Sequence, residues 1–343
     1  MRKLILVLIA ASILWGIYWF IGARTVERGF AGWIEQLRAG GTQIEVAAID
    51  TRGLPNRFDT TLTDIALDLP DRSFSWRAPF AQVLALSYKP NHVIAVLPDR
   101  QSFEWRGTPL TLEAERLRGS LVMRPELALG LDRSSFVGEA LALSGPGGSG
   151  LRVEELRLAT RPGAGGARPV HDIGFELDDA RLIAGRGNGP LAGLPDDLPE
   201  LIERVRVDAT VTFDAPLDRH AFVSAAPRPT RIDLRDARIT WGMMELEAAG
   251  ELRIGPDGVP EGAVSLAATQ WREMLRLAVA AGLVDPGLSG TIETGMGLLA
   301  GLSGDGALRL PLTFAGGRMS LGPVPLGAAP RLFGPGSAGA PAR

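Results

Sequence analysis

The sequence contains no cysteine. Its absence excludes disulfides, thiolate metal sites, a cysteine nucleophile and a lipidated cysteine. Lysine is nearly missing as well, since every basic residue other than Lys3 and Lys89 is arginine. A GC-rich genome accounts for that skew better than phosphate recognition does. The net charge of −3 leaves no basic footprint for nucleic acid. Histidine occurs only as His92, His171 and His220, far apart and without paired ligand spacing, so they read as surface or loop side chains and not as a zinc site.

The patterns that carry chemistry are also lacking. No lysine follows a glycine-rich run, so there is no Walker-type loop. No G-x-S-x-G elbow occurs; Gly-Leu-Ser-Gly appears twice, from Gly287 and from Gly301, both at expected helix ends. Ser-x-x-Lys dyads and EF-type calcium loops are absent. The stretch Gly145–Gly150 matches G-x-G-x-x-G in form, but the residues after it look like strand where a dinucleotide site needs a helix, so it reads as a turn. The acidic pairs Asp178–Asp179 and Asp196–Asp197 read as solvated charges, because adjacent side chains point apart. Neither a catalytic constellation nor a cofactor or metal site is expected, and the reading is against an enzyme.

What the sequence does have begins at its N-terminus. Arg2 and Lys3 precede an uncharged run from Leu4 to Gly22, which as a helix spans roughly 28 Å, close to the hydrocarbon thickness of a bilayer. Trp15, Tyr18 and Trp19 stand in its far half, where an aromatic belt meets the second interface. The leading positive charges favour a cytoplasmic N-terminus with the rest outside. Residues 1–23 therefore read as a transmembrane signal anchor; the rival is a signal peptide cleaved near Ala23. Next, Val26, Phe30, Trp33, Ile34 and Leu37 recur at helical spacing up to Gly40–Gly41, giving an amphipathic helix that packs on a sheet or rests on the membrane.

From there the period becomes two. Val205, Val207, Ala209, Val211 and Phe213 alternate with Arg204, Arg206, Asp208, Thr210 and Thr212. Met244, Leu246 and Ala248, with Leu252 and Ile254, alternate with glutamates and Arg253 in the same way. One oily and one polar face is the pattern of a half-buried antiparallel strand. Ile65, Leu67 and Leu69 fit it, as do Ile173, Phe175 and Leu177, and Leu308, Leu310, Leu312 and Phe314. Gly255–Gly258 and Ala315–Arg318 look like hairpin turns. Asp71–Arg77 and Asp99–Arg106 are near twins, and in extended chain Phe74 and Trp76 share a face, as do Phe103 and Trp105. Helices are expected near 271–302, the first with Thr269 as N-cap and the second starting at Pro286. Arg161–Pro169 and Gly185–Pro199 read as loops. The expected fold is mainly β: elongated, curved antiparallel sheet with a few packing helices, behind one N-terminal transmembrane helix. Its expected divisions are an anchor (1–23), two β-rich halves (24–160 and 161–333) and a disordered tail (334–343).

Several strings resemble a known family: Gly53-Leu54-Pro55 with Arg57-Phe58, then Ser75-Trp76-Arg77-Ala78-Pro79, and above all the string from Leu302 to Gly327. Together with the anchor they resemble domain of unknown function 2125, whose members are membrane-anchored proteins of Gram-negative bacteria. That resemblance implies location and fold but no activity. More loosely, the C-terminal hairpins resemble the repeating strands of AsmA-like proteins, which are anchored in the inner membrane, extend into the periplasm and are linked to lipid transport. The function expected is that of a single-pass inner-membrane protein with a periplasmic β-rich domain. Phe74, Trp76, Phe103 and Trp105 would then line an apolar groove for phospholipid or another apolar ligand. The alternative is a closed envelope scaffold binding another protein, in which those four side chains are ordinary core. No nucleic-acid partner is expected.

Overall fold

The computed structural model describes residues 2–166, 169–183, 199–222, 226–280, 284, 286–301 and 307–333. The expected tail, the second Gly-Leu-Ser-Gly beyond Gly301, the Asp196–Asp197 pair and the loop after Gly185, up to Pro199, lie outside them. Two compact units emerge, the first built on the chain up to Arg157 with Leu217–Ala226, the second on the chain from Leu158 with Pro227 onward.

The first unit opens with one helix, α1 (Arg2–Ala39). The apolar span and the amphipathic helix form a single rod, because no proline separates them and an isolated glycine costs a helix only about 1 kcal/mol. It stops where expected. Gly41 has φ 89, and the amides of Gly40, Gly41 and Thr42 bond back to the carbonyls of Gln36, Arg38 and Leu37. Trp19, Ala23 and Ile34 are its buried positions, whereas Leu4 to Leu14 stay exposed.

Strands β1 (Gln43–Arg52), β2 (Arg57–Asp68) and β3 (Phe74–Leu86) then form an antiparallel meander. Beyond β3 the sheet forks. The second half of β3 pairs with β4 (Lys89–Val96) and its first half with β5 (Arg100–Trp105). β5 pairs with β6 (Thr108–Glu113), and β4 with β7 (Arg116–Met123). β8 (Leu131–Ser144) rejoins the branches by pairing with both β6 and β7. The G-x-G-x-x-G match is a short 3-10 turn at Pro146–Gly148, with β8 before it and β9 (Gly150–Pro162) after it.

A crease crosses this unit at the fork. In β2 the buried positions run Phe58, Thr60, Leu62 and then step to Ile65, and between them Asp64 has φ 50. Across from Asp64 in β3 stands Pro79, which has no amide for a ladder; the rungs Thr63–Phe80 and Ile65–Ala78 flank the gap. β8 repeats the device: Ala140 has φ 50, and the buried positions step from Gly138 to Leu141. A left-handed residue turns the pleat, so side chains three apart in sequence come to one side. The alternation expected from Ile65 holds beyond the crease, with Ile65 opposite Ala78 and Leu67 opposite Trp76, but only as far as the strand runs. Leu69 falls beyond the end of β2, in the turn, where its amide bonds to the carbonyl of Phe74.

The second unit is a plain antiparallel meander: β10 (Val170–Ile183), β11 (Leu201–Phe213), β12 (Pro229–Trp241), β13 (Met244–Ile254), β14 (Pro260–Ala268), β15 (Leu308–Ala315), β16 (Arg318–Leu321) and β17 (Val324–Ala328). Its register aligns the apolar positions. Phe175 pairs with Val207, Val207 with Ala237, Ala237 with Ala248, Ala248 with Leu266 and Leu266 with Leu310. One residue along, Glu176, Arg206, Arg238, Glu247, Ala267 and Arg309 form the matching row on the other face. Cross-strand ion pairs such as Arg238–Glu247 and Arg204–Asp178 lace that polar side. Both expected hairpin turns close as read, with Ile254 against Pro260 and Ala315 against Arg318.

Helices α2 (Trp271–Ala280) and α3 (Pro286–Gly301) cover part of the apolar side. Trp271, Ile292, Met296 and Ala300 pack with Ala268 and Leu308, edged by Leu246 and Leu310. Pro286 opens α3 as expected, and the first Gly-Leu-Ser-Gly lies in its first turns. Thr269, expected as an N-cap, does something else. Its hydroxyl accepts the Glu245 amide at 2.9 Å, tying the helix entrance to β13.

Candidate functional site

The twin segments are joined directly. The antiparallel ladder between β3 and β5 places Phe74 opposite Trp105 and Trp76 opposite Phe103, so all four rings stand on one face. Ser75, Arg77, Ser102 and Glu104 take the other, where Arg77 pairs with Asp68 at 2.8 Å. The rings of Phe74 and Phe103 are 5.8 Å apart and tilted by 40°. Leu67 extends the apolar patch beside Trp76, and Leu110 beside Phe103. None of the four aromatics is fully buried: Phe74, Trp76 and Phe103 are half-buried, and Trp105 is 52% exposed with the Arg106 guanidinium over its ring at 5.6 Å. Backbone and turn hold the patch in place. The Arg106 amide bonds to the Ser73 carbonyl, and Ser73 gives both its hydroxyl and its amide to the Asp71 carboxylate, holding that carboxyl below the usual range.

Sequence reasoning missed the polar pin of this patch. Gln101 shares the aromatic face, is 3% exposed, and accepts the Trp76 indole N–H at 2.9 Å while its own amide bonds to the Pro98 carbonyl. The opposite face of the same strands carries a shallow basin of about 530 Å³ lined by Ala66, Arg77, Ser102 and Thr111 among others. Its arginines are committed elsewhere, Arg77 to Asp68 and Arg100 to Glu113.

The helix aromatics are placed with equal definition. Trp15 Nε1 donates to the Pro55 carbonyl at 2.8 Å, Tyr18 Oη to the Ser87 carbonyl at 2.6 Å and Trp19 Nε1 to the Arg57 carbonyl at 2.7 Å. Trp19 and Ala23 bury Phe58 between them and Val26. Gly22 is needed there, because a Cβ on it would lie 2.5 Å from the Phe58 ring. Sequence reasoning placed these aromatics at a membrane interface but saw no protein partner for them, since the carbonyls they meet lie far along the chain, in two turns and at the start of β2.

With this geometry established, comparison with known proteins is informative in one respect. A family model described as "Uncharacterized protein conserved in bacteria (DUF2125)" matches residues 19–330. The chain belongs to this family. No curated protein and no solved structure matches, and the looser likeness to AsmA-like proteins finds no counterpart in these comparisons. The DUF2125 match begins at Trp19, in the docked part of α1. Among the described residues one helix, α1, is long and apolar enough to cross a membrane; an 18-residue stretch of it has a mean hydropathy of 2.4 and is only 6% buried.

Two histidines of the DUF2125 chain correct the surface-or-loop expectation. His171 is 6% exposed on the apolar side of β10, edge-on to Phe213 at 6.2 Å. His92 lies in β4, half-buried, with Nε2 3.1 Å from the Ser120 hydroxyl. Both are strand residues held by neighbours, and His220 lies in a short 3-10 turn. Beside His171, Asp172 turns to the polar side. Burial pushes its carboxyl up, but the Thr210 hydroxyl at 2.8 Å and the Arg235 guanidinium at 3.0 Å, helped by Arg161, outweigh this and hold it below the usual carboxylate range.

Proposed function

We propose that this protein is a single-pass inner-membrane protein with a cytoplasmic N-terminus, and that its periplasmic β-rich bulk binds an apolar ligand, with phospholipid acyl chains as the class. On this reading it is a binding module and not an enzyme. The observation that carries the proposal is the half-open aromatic quartet. Four large rings are aligned by register on one sheet face and pinned by Gln101, and the outermost is left half in water. Burying apolar surface is worth roughly 25 cal/mol per Å², so each ring left partly wet is a place where an acyl chain gains free energy by docking. The apolar row from Phe175 to Leu310 supports the same reading, because those positions are half-buried and, among the described residues, the cluster that α2 and α3 form lies toward its β13–β17 end.

The closed envelope scaffold is the second reading, and the same helices favour it. The cluster around Ile292 and Met296 is ordinary, well-covered core.

Site-specific photocrosslinking separates the two. A benzophenone side chain in place of Trp105 is irradiated in intact membranes, and lipid adducts are read by mass spectrometry; the same group in place of Glu104, on the other face of β5, is the control. The proposal expects phospholipid adducts at 105 severalfold above those at 104. Equal yields at the two positions, or adducts to protein alone, would favour the scaffold.

A further inference from the structure

We infer that the end of the first unit beside α1, meaning the β1–β2 tip at Leu54–Pro55 and the β3–β4 tip at Leu86–Tyr88, is seated within the bilayer that α1 crosses and not above it. This rests on the membrane-anchor reading. The argument is one of lengths. The free part of α1, Leu4 to Leu14, covers only about 16 Å, roughly half the hydrocarbon thickness. The apolar run completes a span only by including residues 15–22, and it ends at Arg24, the first charge after Lys3. Those same residues hold the two tips: Trp15 bonds to Pro55, Tyr18 to Ser87, and Trp19 to Arg57. Trp15 lies about 13 Å along the helix from Arg24. Whatever is bonded to it lies below the exit of the helix by a comparable depth.

The tips are built for that position. Backbone in a membrane must have its polar groups satisfied from within the protein. Here the indole and phenol donors of α1 take the carbonyls of Pro55, Arg57 and Ser87, while the Ser87 amide takes the carbonyl of Asn56 and the Arg57 amide that of Gly53. The side chains facing outward include Leu54, 53% exposed, and Tyr88, 64% exposed; Asn56 and Arg57 are exposed there too, and the Arg57 guanidinium is paired with Asp59 at 3.0 Å. Lys89, one of the two lysines of the chain, and Arg52 are exposed and flank the tips in sequence, and on this inference their long side chains reach the headgroups. The far end of β1 leads away from the membrane. Glu27 of α1 accepts the Thr51 amide, and Arg38 bonds to the Ile44 carbonyl, so helix and strand leave the bilayer side by side.

The absence of cysteine makes the test clean. Full-length variants Leu54→Cys, Tyr88→Cys, Ile9→Cys and Glu104→Cys are labelled with a small fluorophore. They are reconstituted into vesicles of phosphatidylethanolamine and phosphatidylglycerol doped with a lipid carrying a nitroxide on its acyl chain. Labels at 54 and 88 should be quenched severalfold more than the label at 104, approaching the label at 9, and should be shielded from iodide in the water. If the label at 9 is quenched but those at 54 and 88 behave like the one at 104, the anchor stands and this inference falls. If the label at 9 is not quenched either, both fall.

Discussion

Only 3% of Gln101 is exposed, and both ends of its amide are used, one by the Trp76 indole and one by the Pro98 carbonyl. A residue of this kind fixes an aromatic ring that packing alone would leave in several rotamers, because the indole N–H has one direction in which it is satisfied. Replacing it with leucine, of nearly equal size, removes the acceptor and leaves the buried Pro98 carbonyl and the Trp76 N–H without this partner. Gln101→Leu should therefore lower stability by about 1–3 kcal/mol, read as a fall in the denaturant midpoint with unchanged slope. Tryptophan emission should change shape as well. An unchanged midpoint would mean that water replaces the amide, and that the quartet is more open than its half-buried rings indicate. The same scale governs Gly22, where the absence of a side chain lets Phe58 reach α1.

Among the elements, β11 and β13 were legible in the sequence because each sets one oily face against one charged face without interruption. β2 and β8 were not, since Asp64 and Ala140 adopt φ 50 in mid-strand and shift the inward set by one residue, and nothing in the local sequence demands it. The fork was hidden for a different reason. That β3 gives its two halves to different partners is decided by long-range pairing and by Pro79, whereas the twin Phe-x-Trp strings did announce a pair of like strands. The aromatic face was thus readable, but Gln101 and the backbone carbonyls met by Trp15, Tyr18 and Trp19 were not, because each depends on a contact distant in sequence. The polar face of the second unit carries its own testable element. Asp172 on β10 joins Thr210 on β11 and Arg235 on β12, so three neighbouring strands share one carboxylate. Its folded pKa is depressed. The stability it supplies is therefore present above the ordinary pKa of 3.8 and is lost as pH falls through the lower folded value. Asp172→Asn should be less stable at neutral pH by about 1–2 kcal/mol, after allowance for the water around Arg235. The difference from the parent should shrink as pH falls below about 4. Parallel acid titrations of the two proteins by circular dichroism would show it; a constant gap across the range would remove the carboxylate from the ledger.

For the whole molecule, the question is which side of the membrane holds the sheet. The residues flanking the apolar run are matched: Arg2 and Lys3 lie before it, and Arg24 and Arg28 after it. Counted this closely, local charge by itself is balanced between the two orientations. The arginines after the run are also in a folded context, α1 continuing past them to Ala39 with Glu27 bonded to the Thr51 amide, and a long domain follows, a kind of segment whose translocation depends little on its own charge. That balance, with the proposed cytoplasmic N-terminus, makes a sharp prediction. A C-terminal alkaline phosphatase fusion should be active and a C-terminal green fluorescent fusion dark. Reversing the leading charges with Arg2→Glu and Lys3→Glu should cut phosphatase activity severalfold, because the balance then favours Arg24 and Arg28 staying inside. A bright fluorescent fusion on the unaltered chain would put the aromatic quartet in the cytosol and remove periplasmic lipid as its ligand. Active phosphatase that ignores the charge reversal would show instead that the apolar run alone, with no help from Arg2 and Lys3, directs export.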